Sequence, residues 1–283
     1  MMFNIYNYIL VGGFAFFIFL GAIVQARAFP QINWWRTRGL VMAAVYFLCA
    51  SYSPYLWSDW LGQYRLIDAS NLPLWASVPL GYAALQFVSY WWHRAVHSSD
   101  ILWRIFHQMH HSVERMDGWG GLYHSPLDVV GFTFAGSFAL TVLFGMDPYA
   151  AAIVGVMGGL FVLFTHSNIH TPRWIGWLIQ RPEAHAVHHQ RGHHANNYAE
   201  LVIWDRLFGT YQNPGEWHGK TGFYEGASAR IGDMLRFRDV SKPQEPGNQS
   251  DRSMSGQFLT ALLAMGSSTV LLIMIGTMMP DMI

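Results

Sequence analysis

Six long stretches of the sequence contain no charged residue, and this feature limits what the chain can fold into. Only 12% of its 283 residues are charged, against about 25% in average soluble domains. A helix needs about 20 apolar residues to cross a hydrocarbon core of about 30 Å. The sequence therefore predicts an all-α integral membrane protein and excludes an ordinary soluble domain. The predicted spans cover residues 5–24, 39–57, 74–92, 128–146, 149–166 and 257–279.

The basic residues predict the orientation of these spans. Sixteen of the 17 Lys and Arg residues fall on one side when the spans alternate, so this side is predicted to be cytoplasmic. Residues 146–148 leave a very short turn between the fourth and fifth spans, which fits either a full crossing or a re-entrant hairpin. The first span is expected to be an anchor, because no basic residue precedes it as in a signal peptide.

The same pattern divides the chain into four predicted parts. Residues 1–73 are N-terminal membrane helices, and residues 74–238 are a central region that contains all 14 histidines. Residues 239–256 are polar and rich in Pro, Gly and Ser without periodicity, which is typical of a linker. Residues 257–283 contain the last membrane helix.

Histidine is unusually frequent for so apolar a chain, and all 14 histidines lie on the predicted cytoplasmic side. Ten of them occur in four spaced groups, in which HxxxH and then HxxHH appear twice. Such spacing does not resemble a solvated histidine tract. The groups are His93 and His97; His107, His110 and His111; His166 and His170; His185, His188 and His189.

The spacing places the imidazoles of each group on one helical face, because residues at i, i+3 and i+4 are neighbours there. His93 and His97 are predicted to continue the third span into the cytoplasm, and His166 and His170 to continue the fifth. The two triplets would then lie over these ends in a helical cap. The sequence thus predicts one histidine-rich dinuclear metal site at the membrane edge.

The number of imidazoles argues for two metal ions. Ten ligands are too many for one tetrahedral zinc, and imidazole suits Fe, Zn, Cu and Ni alike. Cys49 is the only cysteine, so a cysteine-based zinc or iron–sulfur site is excluded. The spacing predicts two ions without predicting the element.

Other polar residues near these groups are candidates for further ligands or for hydrogen-bonding the imidazoles. Among the remaining histidines, His218 has no partner at ligand spacing and is expected to be a surface residue. The histidine candidates are His124, His193 and His194. The acidic candidates are Asp100, Glu114, Asp117, Asp128, Glu183 and Asp205.

The four groups, in this order and surrounded by hydrophobic hairpins, resemble the histidine boxes of the fatty acid hydroxylase/sterol desaturase superfamily. The boxes read HRAVH, HQMHH, HSNIH and HAVHH. Asn197-Tyr198 and residues 204–211 (WDRLFGTY) resemble the stretch after the last box, so Asn197 and Asp205 are supporting candidates. Ala199 stands where many members have Gly. The resemblance covers residues 75–215.

The resemblance implies two Fe ions held by histidines, with O₂ as co-substrate. Zn can replace Fe in the purified protein. It also implies hydroxylation or desaturation of an unactivated C–H site in a lipid, such as a sterol or fatty acyl chain. The substrate would enter from the bilayer. The active site would face the cytoplasm of a bacterial inner membrane or of the endoplasmic reticulum.

Such a reaction consumes reducing equivalents. The sequence has no dinucleotide fingerprint, no haem attachment motif and no cysteines for a cluster. A separate cytoplasmic electron donor of the ferredoxin or cytochrome type is therefore expected. The net charge of zero argues against nucleic-acid binding.

Two other functions fit parts of the pattern. A metal transporter or sensor needs ionisable ligands along a path through the bilayer, whereas these histidines stop at one edge. A zinc-dependent membrane hydrolase would typically carry HExxH, which this sequence lacks.

Overall fold

The computed structural model describes residues 5–243, and within them the regular structure is helical. No strand occurs in this part of the chain, where only two isolated β-bridges join Ile179 to Leu201 and Gln190 to Thr221. The predicted all-α fold is therefore confirmed for these residues. The last predicted span, 257–279, and most of the predicted linker lie outside them.

Five long helices form the apolar body of the molecule. Ile5–Ile23 (α1) packs along Pro148–Thr165 (α9), and Leu74–Ser98 (α4) packs along both α9 and Pro126–Ser137 (α8). Trp35–Tyr52 (α2) packs on α8. A 3₁₀ turn, Ser53–Leu56, extends α2, and a π-helical turn, Phe138–Leu143, extends α8.

These helices occupy five of the six predicted spans. Within residues 5–243, three helical segments are long and apolar enough to cross a membrane: Trp35–Leu56, Pro126–Leu143 and Pro148–Thr165. α1 contains a shorter apolar stretch, Tyr8–Ile23. Pro54 does not kink a continuous α-helix, because α2 ends at Tyr52 and the chain continues as a 3₁₀ turn. Pro54 has no backbone N–H, so it cannot donate the next α-helical hydrogen bond.

The turn between α8 and α9 shows how local sequence sets this architecture. Gly145 has a positive φ of 48°, which costs glycine little because it has no Cβ. Asp147 then caps α9, since its Oδ1 accepts hydrogen bonds from the N–H groups of Tyr149 (2.9 Å) and Ala150 (3.2 Å). Pro148 occupies the first helical turn, where its missing N–H costs no hydrogen bond.

Short helices and loops cover one end of the long helices. A buried core that includes Trp35, Met109, Tyr123 and Ile231 joins this part to α2. The short helices are α3 Ser58–Gly62, α5 Asp100–Leu102, α6 Gln108–His111, α7 Gly118–Gly121, α10 Pro182–His188, α11 Val202–Leu207 and α12 Ile231–Met234. The remaining turns are the π-helical Trp103–His107 and the 3₁₀ segments Arg173–Trp177 and Ala227–Ala229.

Asp117 connects this short-helix region to α2. Its carboxylate caps α7 by accepting hydrogen bonds from the N–H groups of Trp119 and Gly120, each at 3.1 Å. The same carboxylate accepts the indole N–H of Trp35 and pairs with Arg115 at 2.9 Å. One side chain therefore satisfies donors from three segments.

We expect Asp117→Ala to lower the free energy of unfolding by about 1–3 kcal/mol, because it removes a helix cap and leaves the buried Trp35 N–H without an acceptor. Thermal unfolding in detergent measures the effect. Asp68→Ala is the matched control, since Asp68 is exposed and bonds only its near neighbours Arg65 and Ser70 among the described residues. Equal melting temperatures for the two variants would refute this role of Asp117.

Candidate metal centre

The last turns of α4 carry the first pair of histidines. His93 and His97 are one helical turn apart, as predicted, so their rings leave the same face. The helix ends at Ser98, and the Ser99 hydroxyl accepts a hydrogen bond from the N–H of Leu102 (3.4 Å) at the start of α5. The chain turns back here and brings the next histidines over the end of α4.

The second triplet follows a π-helical turn. His107 ends this turn, and His110 and His111 lie in α6. π-Helical turns are rare and occur frequently at functional sites. The ring of His107 lies 4.7 Å from that of His93 between centroids.

The fourth histidine group lies on α10. Pro182 occupies the first turn of this helix, and His185, His188 and the cap residue His189 follow. All three histidines are buried.

The third group departs from the prediction. α9 ends at Thr165, so the expectation that His166 and His170 continue this helix together is wrong. His166 is buried and its Nδ1 donates to the carbonyl of Val162 (2.8 Å). The His170 side chain is 65% exposed, with Nδ1 3.9 Å from the carboxylate of Glu183. His170 therefore lies apart from the other grouped histidines.

The other nine grouped histidines converge in two clusters. Within each cluster, one ring nitrogen of every member lies within 4.8 Å of those of the others. The first histidine cluster contains His93, His97, His107, His111 and His188. The second histidine cluster contains His110, His166, His185 and His189.

Each HxxHH triplet is divided between the two clusters. Residues i and i+4 are separated by about 40° around a helix axis, whereas i+3 points about 60° to the other side of i. In the first triplet the outer residues, His107 and His111, join the first cluster. In the second triplet the outer residues, His185 and His189, join the second cluster. The rings of His111 and His189 stack across the boundary, with centroids 4.1 Å apart. The two clusters are therefore adjacent.

The hydrogen bonds of the first cluster leave nitrogen lone pairs facing each other. Nδ1 of His93 donates to the carbonyl of Tyr198 (2.7 Å), and Nδ1 of His107 donates to the carboxylate of Asp128 (3.1 Å). In a neutral imidazole the other nitrogen, Nε2, then carries a lone pair. These two Nε2 atoms are 2.9 Å apart. Two lone pairs at this distance repel, and a cation coordinated by both removes the repulsion.

The other three members of the first cluster also present unpaired nitrogens. Nε2 of His97, His111 and His188 is buried without a hydrogen-bond partner. Nδ1 of His188 donates to the carbonyl of Asn196 (2.7 Å), so its Nε2 carries a lone pair as well. Buried polar atoms without partners are rare in proteins, and metal coordination would satisfy all three.

The second cluster fits a cation for a similar reason. Nε2 of His166 lies 3.1 Å from Nε2 of His110, 3.1 Å from that of His185 and 3.3 Å from that of His189. Since Nδ1 of His166 is a donor, its Nε2 offers one lone pair, which can accept a proton from only one of these neighbours. Four converging imidazoles match the ligand number of a tetrahedral site.

Burial keeps these imidazoles in the form that binds metal. It lowers the pKa of His110, His111, His185, His188 and His189 well below the usual value, and neighbouring histidines lower it further. Burial also lowers the pKa of His166 to about 3. A histidine must be neutral to coordinate a metal, so these six imidazoles are ready to bind at neutral pH.

Asp128 is the acidic candidate that orients an imidazole of the clusters. It bonds Nδ1 of His107 and accepts a second hydrogen bond from Nδ1 of His124 (2.7 Å). Nε2 of His124 faces the carbonyl of Gly121 (3.2 Å). Both nitrogens of His124 thus face acceptors, and its ring stacks 3.9 Å from that of His110. His124 thus shares the Asp128 carboxylate with His107, and these three side chains form a further group whose ligand atoms lie within 4.8 Å of one another.

A loop at residues 196–199 supplies two of the carbonyl acceptors. Asn196 and Asn197 have positive φ angles of 68° and 52°, which are uncommon for residues other than glycine. The carboxylate of Asp205 accepts the N–H groups of Tyr198 and Ala199, each at 2.8 Å. These bonds hold the Asn196 and Tyr198 carbonyls against the histidine rings.

The amide of Asn197 fixes the same loop to α10. It donates to the carbonyl of Ala184 (2.7 Å) and accepts the N–H of Gln212 (2.7 Å). Gln180 also donates to the carbonyls of Asn197 and Ala199, at 2.7 and 2.9 Å. Sequence reasoning missed Gln180, because nothing in its neighbourhood distinguishes it from a surface glutamine.

The remaining candidates have different positions. Nδ1 of His194 lies 3.0 Å from Nδ1 of His111, where it supports that ligand. His193 bonds Asn196 at the surface, and His218 is exposed beside Glu216, as predicted.

The other acidic candidates do not hydrogen-bond a ring of either cluster within the described residues. Glu114 accepts the N–H of Gly226, Asp117 caps α7, Glu183 bonds Thr171 and Arg181, and Asp100 begins α5.

Residues 78–210, which contain all of both clusters, match the profile of the fatty acid hydroxylase family. Over this range the chain is similar to that family. The resemblance predicted from the histidine boxes is thereby confirmed. The matched range begins within α4 and ends after α11.

Curated relatives carry similar sequences over part of the chain. An alkylglycerol monooxygenase from Xenopus tropicalis is 32% identical over 161 residues, which is 56% of this chain and 34% of that protein. The ornithine lipid hydroxylase OlsE from Rhizobium tropici is 31% identical over 182 residues, or 62% and 50%. The fatty acid hydroxylase vlmA from a Lecanicillium species is 34% identical over 143 residues, or 44% and 39%.

The chain thus spans between about a third and a half of the length of these relatives. No solved structure gives a significant match to it.

We expect the two histidine clusters to bind metal separately. His93→Ala/His107→Ala should remove one metal ion per chain, and His166→Ala/His185→Ala the other, because each pair supplies facing ligands of one cluster. Elemental analysis of the purified full chain measures the content. His170→Ala/His218→Ala is the control and should retain both ions. Loss of metal in this control would show that the clusters are assigned incorrectly.

Asp128→Asn should weaken metal binding at the first cluster by about 10- to 100-fold, because the neutral amide offers one acceptor oxygen instead of two and lacks the charge that makes the His107 imidazole a better ligand. Chelator competition on the purified protein gives the affinity, and the second cluster should be affected less. Asp100→Asn, which changes an exposed carboxylate, is the matched control. Identical affinities in the two variants would contradict a positioning role for Asp128.

Proposed function

We propose that this protein is a membrane-bound non-haem di-iron oxygenase that hydroxylates or desaturates an unactivated C–H site of a lipid. O₂ is the oxidant, and a separate protein supplies electrons. The observation that carries the proposal is the pair of facing Nε2 lone pairs on His93 and His107, which lies beside a second cluster of converging imidazoles.

The first histidine cluster would hold one iron and the second cluster the other. A bound pair of irons supplies the redox chemistry that O₂ reduction and C–H oxidation require, and imidazole is a suitable ligand for iron. The residues of the chain set the ligand geometry. Tyr198, Asp128 and Asn196 accept the Nδ1–H groups of three ligands and so direct Nε2 towards the metal.

A lipid chain would reach the first cluster between α4 and α8. Phe132 of α8 is half-buried, and its ring centroid lies 5.6 Å from those of both His93 and His107. Trp92 of α4 lies 6.5 Å from Phe132. Aromatic side chains on two apolar helices offer a surface for an acyl or sterol chain. The names of the relatives, which include hydroxylases of an ornithine lipid and of a fatty acid, support a lipid substrate.

The remaining parts of the chain would place this site at the cytoplasmic face of its membrane. Residues 5–73 would serve as membrane helices beside the catalytic region 74–238, whereas the predicted linker 239–256 and last helix 257–283 lie mostly outside the described residues. The excess of Lys and Arg on one side supports this orientation. An electron donor of the ferredoxin or cytochrome type then approaches from the cytoplasm.

Expression of the full chain in a host that lacks it should produce a lipid with a mass change of about +16 for hydroxylation or −2 for desaturation. Lipid mass spectrometry of matched cells measures this change. Because the metals bind through the clusters, His107→Ala and His185→Ala should each abolish the product.

His170→Ala should retain the product, since this imidazole lies apart from both clusters. Protein levels in the membrane fraction control for folding of each variant. Full product formation by both His107→Ala and His185→Ala would refute the proposal.

A further inference from the structure

Two short helical segments expose large apolar side chains at one site on the surface. They are the 3₁₀ turn Arg173–Trp177 and α11, which the Ile179–Leu201 bridge and the bond from Gln180 N–H to the Glu200 carbonyl (2.7 Å) join together. The exposed residues are Trp174 (66%), Trp177 (66%), Leu178 (70%), Ile203 (59%) and Leu207 (66%). A group of this kind indicates contact with a membrane or a partner.

The contacts of α11 place this surface at the level of the apolar helices. Trp204 packs on Phe87 with centroids 4.8 Å apart, and Phe208 packs on Trp91 at 4.8 Å. Phe87 and Trp91 belong to the uncharged segment 69–93 of the sequence. The exposed side chains of α11 are therefore adjacent to the part of α4 expected to contact lipid.

A pocket of about 590 Å³ opens between the two segments, and it contains two arginines. The guanidinium of Arg206 lies over the rings of Trp177 (4.5 Å) and Tyr211 (5.1 Å). Arg173 lines the same pocket and is exposed. Among the described residues, no carboxylate lies within ion-pair distance of either guanidinium. The pocket therefore carries two positive charges that are not neutralised.

The wall of the pocket is rigidly built. The buried side chain of Arg181 donates to Asn213 Oδ1 (2.8 Å), and Asn213 donates to the carbonyl of Arg173 (3.2 Å). The hydroxyl of Tyr211 donates to the carbonyl of Gly176. Gly176 permits the close packing of Asn213, since a Cβ at residue 176 would lie 2.5 Å from the Asn213 amide.

We propose that this pocket binds the phosphate of an anionic phospholipid headgroup between Arg173 and Arg206. Trp174, Trp177 and Tyr211 then lie at the headgroup level, where Trp and Tyr are enriched, and Leu178 and Leu207 contact the acyl chains. Basic residues next to apolar surface attract anionic lipids, and an acidic soluble protein would leave the aliphatic side chains exposed to water. The site is separate from the two histidine clusters and does not rest on the proposed reaction.

Native mass spectrometry of the full chain in a neutral detergent tests this site with phosphatidylglycerol and with phosphatidylcholine of the same acyl chains. The wild type should retain phosphatidylglycerol preferentially. Arg173→Gln should weaken this binding about fivefold, and Arg173→Gln/Arg206→Gln further, because each basic residue near anionic lipid contributes about 1 kcal/mol. Arg173 donates no side-chain hydrogen bond within residues 5–243, so its replacement leaves the fold intact.

Arg36→Gln/Arg236→Gln is the matched control, since it removes two exposed arginines outside the pocket, and it should bind phosphatidylglycerol like the wild type. An equal loss in this control would overturn the proposal in favour of general charge attraction. Displacement of the lipid by millimolar glycerol 3-phosphate would assign the pocket to a soluble phosphate instead. Unchanged lipid binding by Arg173→Gln/Arg206→Gln, with loss of binding to an acidic ferredoxin, would assign it to a protein partner.

Discussion

The metal centre depends on hydrogen bonds in which imidazole Nδ1–H groups donate to acceptors held in fixed positions. His93, His107 and His188 donate to a carbonyl, a carboxylate and a second carbonyl, so their Nε2 lone pairs turn inwards. In the absence of a cation these lone pairs repel one another in a buried site from which water is largely excluded. Metal binding removes this repulsion, and part of its free energy thereby stabilises the fold. The same contacts therefore determine both stability and the capacity for chemistry.

The elements that supply these acceptors are of two kinds. Asp128 lies in the first turn of α8, where the helix fixes its position relative to α4. Asn196 and Tyr198 belong to a loop with left-handed backbone conformations, which cost free energy. Asp205 and Asn197 offset this cost by bonding the loop backbone. A strained loop held in this way can place two carbonyls at the short distances that the rings require.

Much of this arrangement could be predicted from the sequence. Charge-free segments predicted five of the long helices, and the spacing of His93 and His97 predicted their common face, because both signals are local. The division of each triplet between two clusters could not be predicted, since helical spacing gives directions but not the neighbour that lies in each direction. His170 had the same spacing as His97, yet α9 ends before it. Asp128 was one of six acidic candidates, and only the packing of α8 against the π-helical turn distinguishes it.

The charge balance of the site explains why it lies at the ends of the helices. Nine neutral imidazoles contribute no negative charge, and Asp128 is the carboxylate that bonds a ring of either cluster among the described residues. Two divalent ions held there would keep a net positive charge, which is costly within hydrocarbon. A position at the membrane edge would keep this charge near water and headgroups, while the apolar faces of α4 and α8 would still reach the bilayer. The proposed function, in which the site meets both a lipid chain and a soluble electron donor, requires this boundary position.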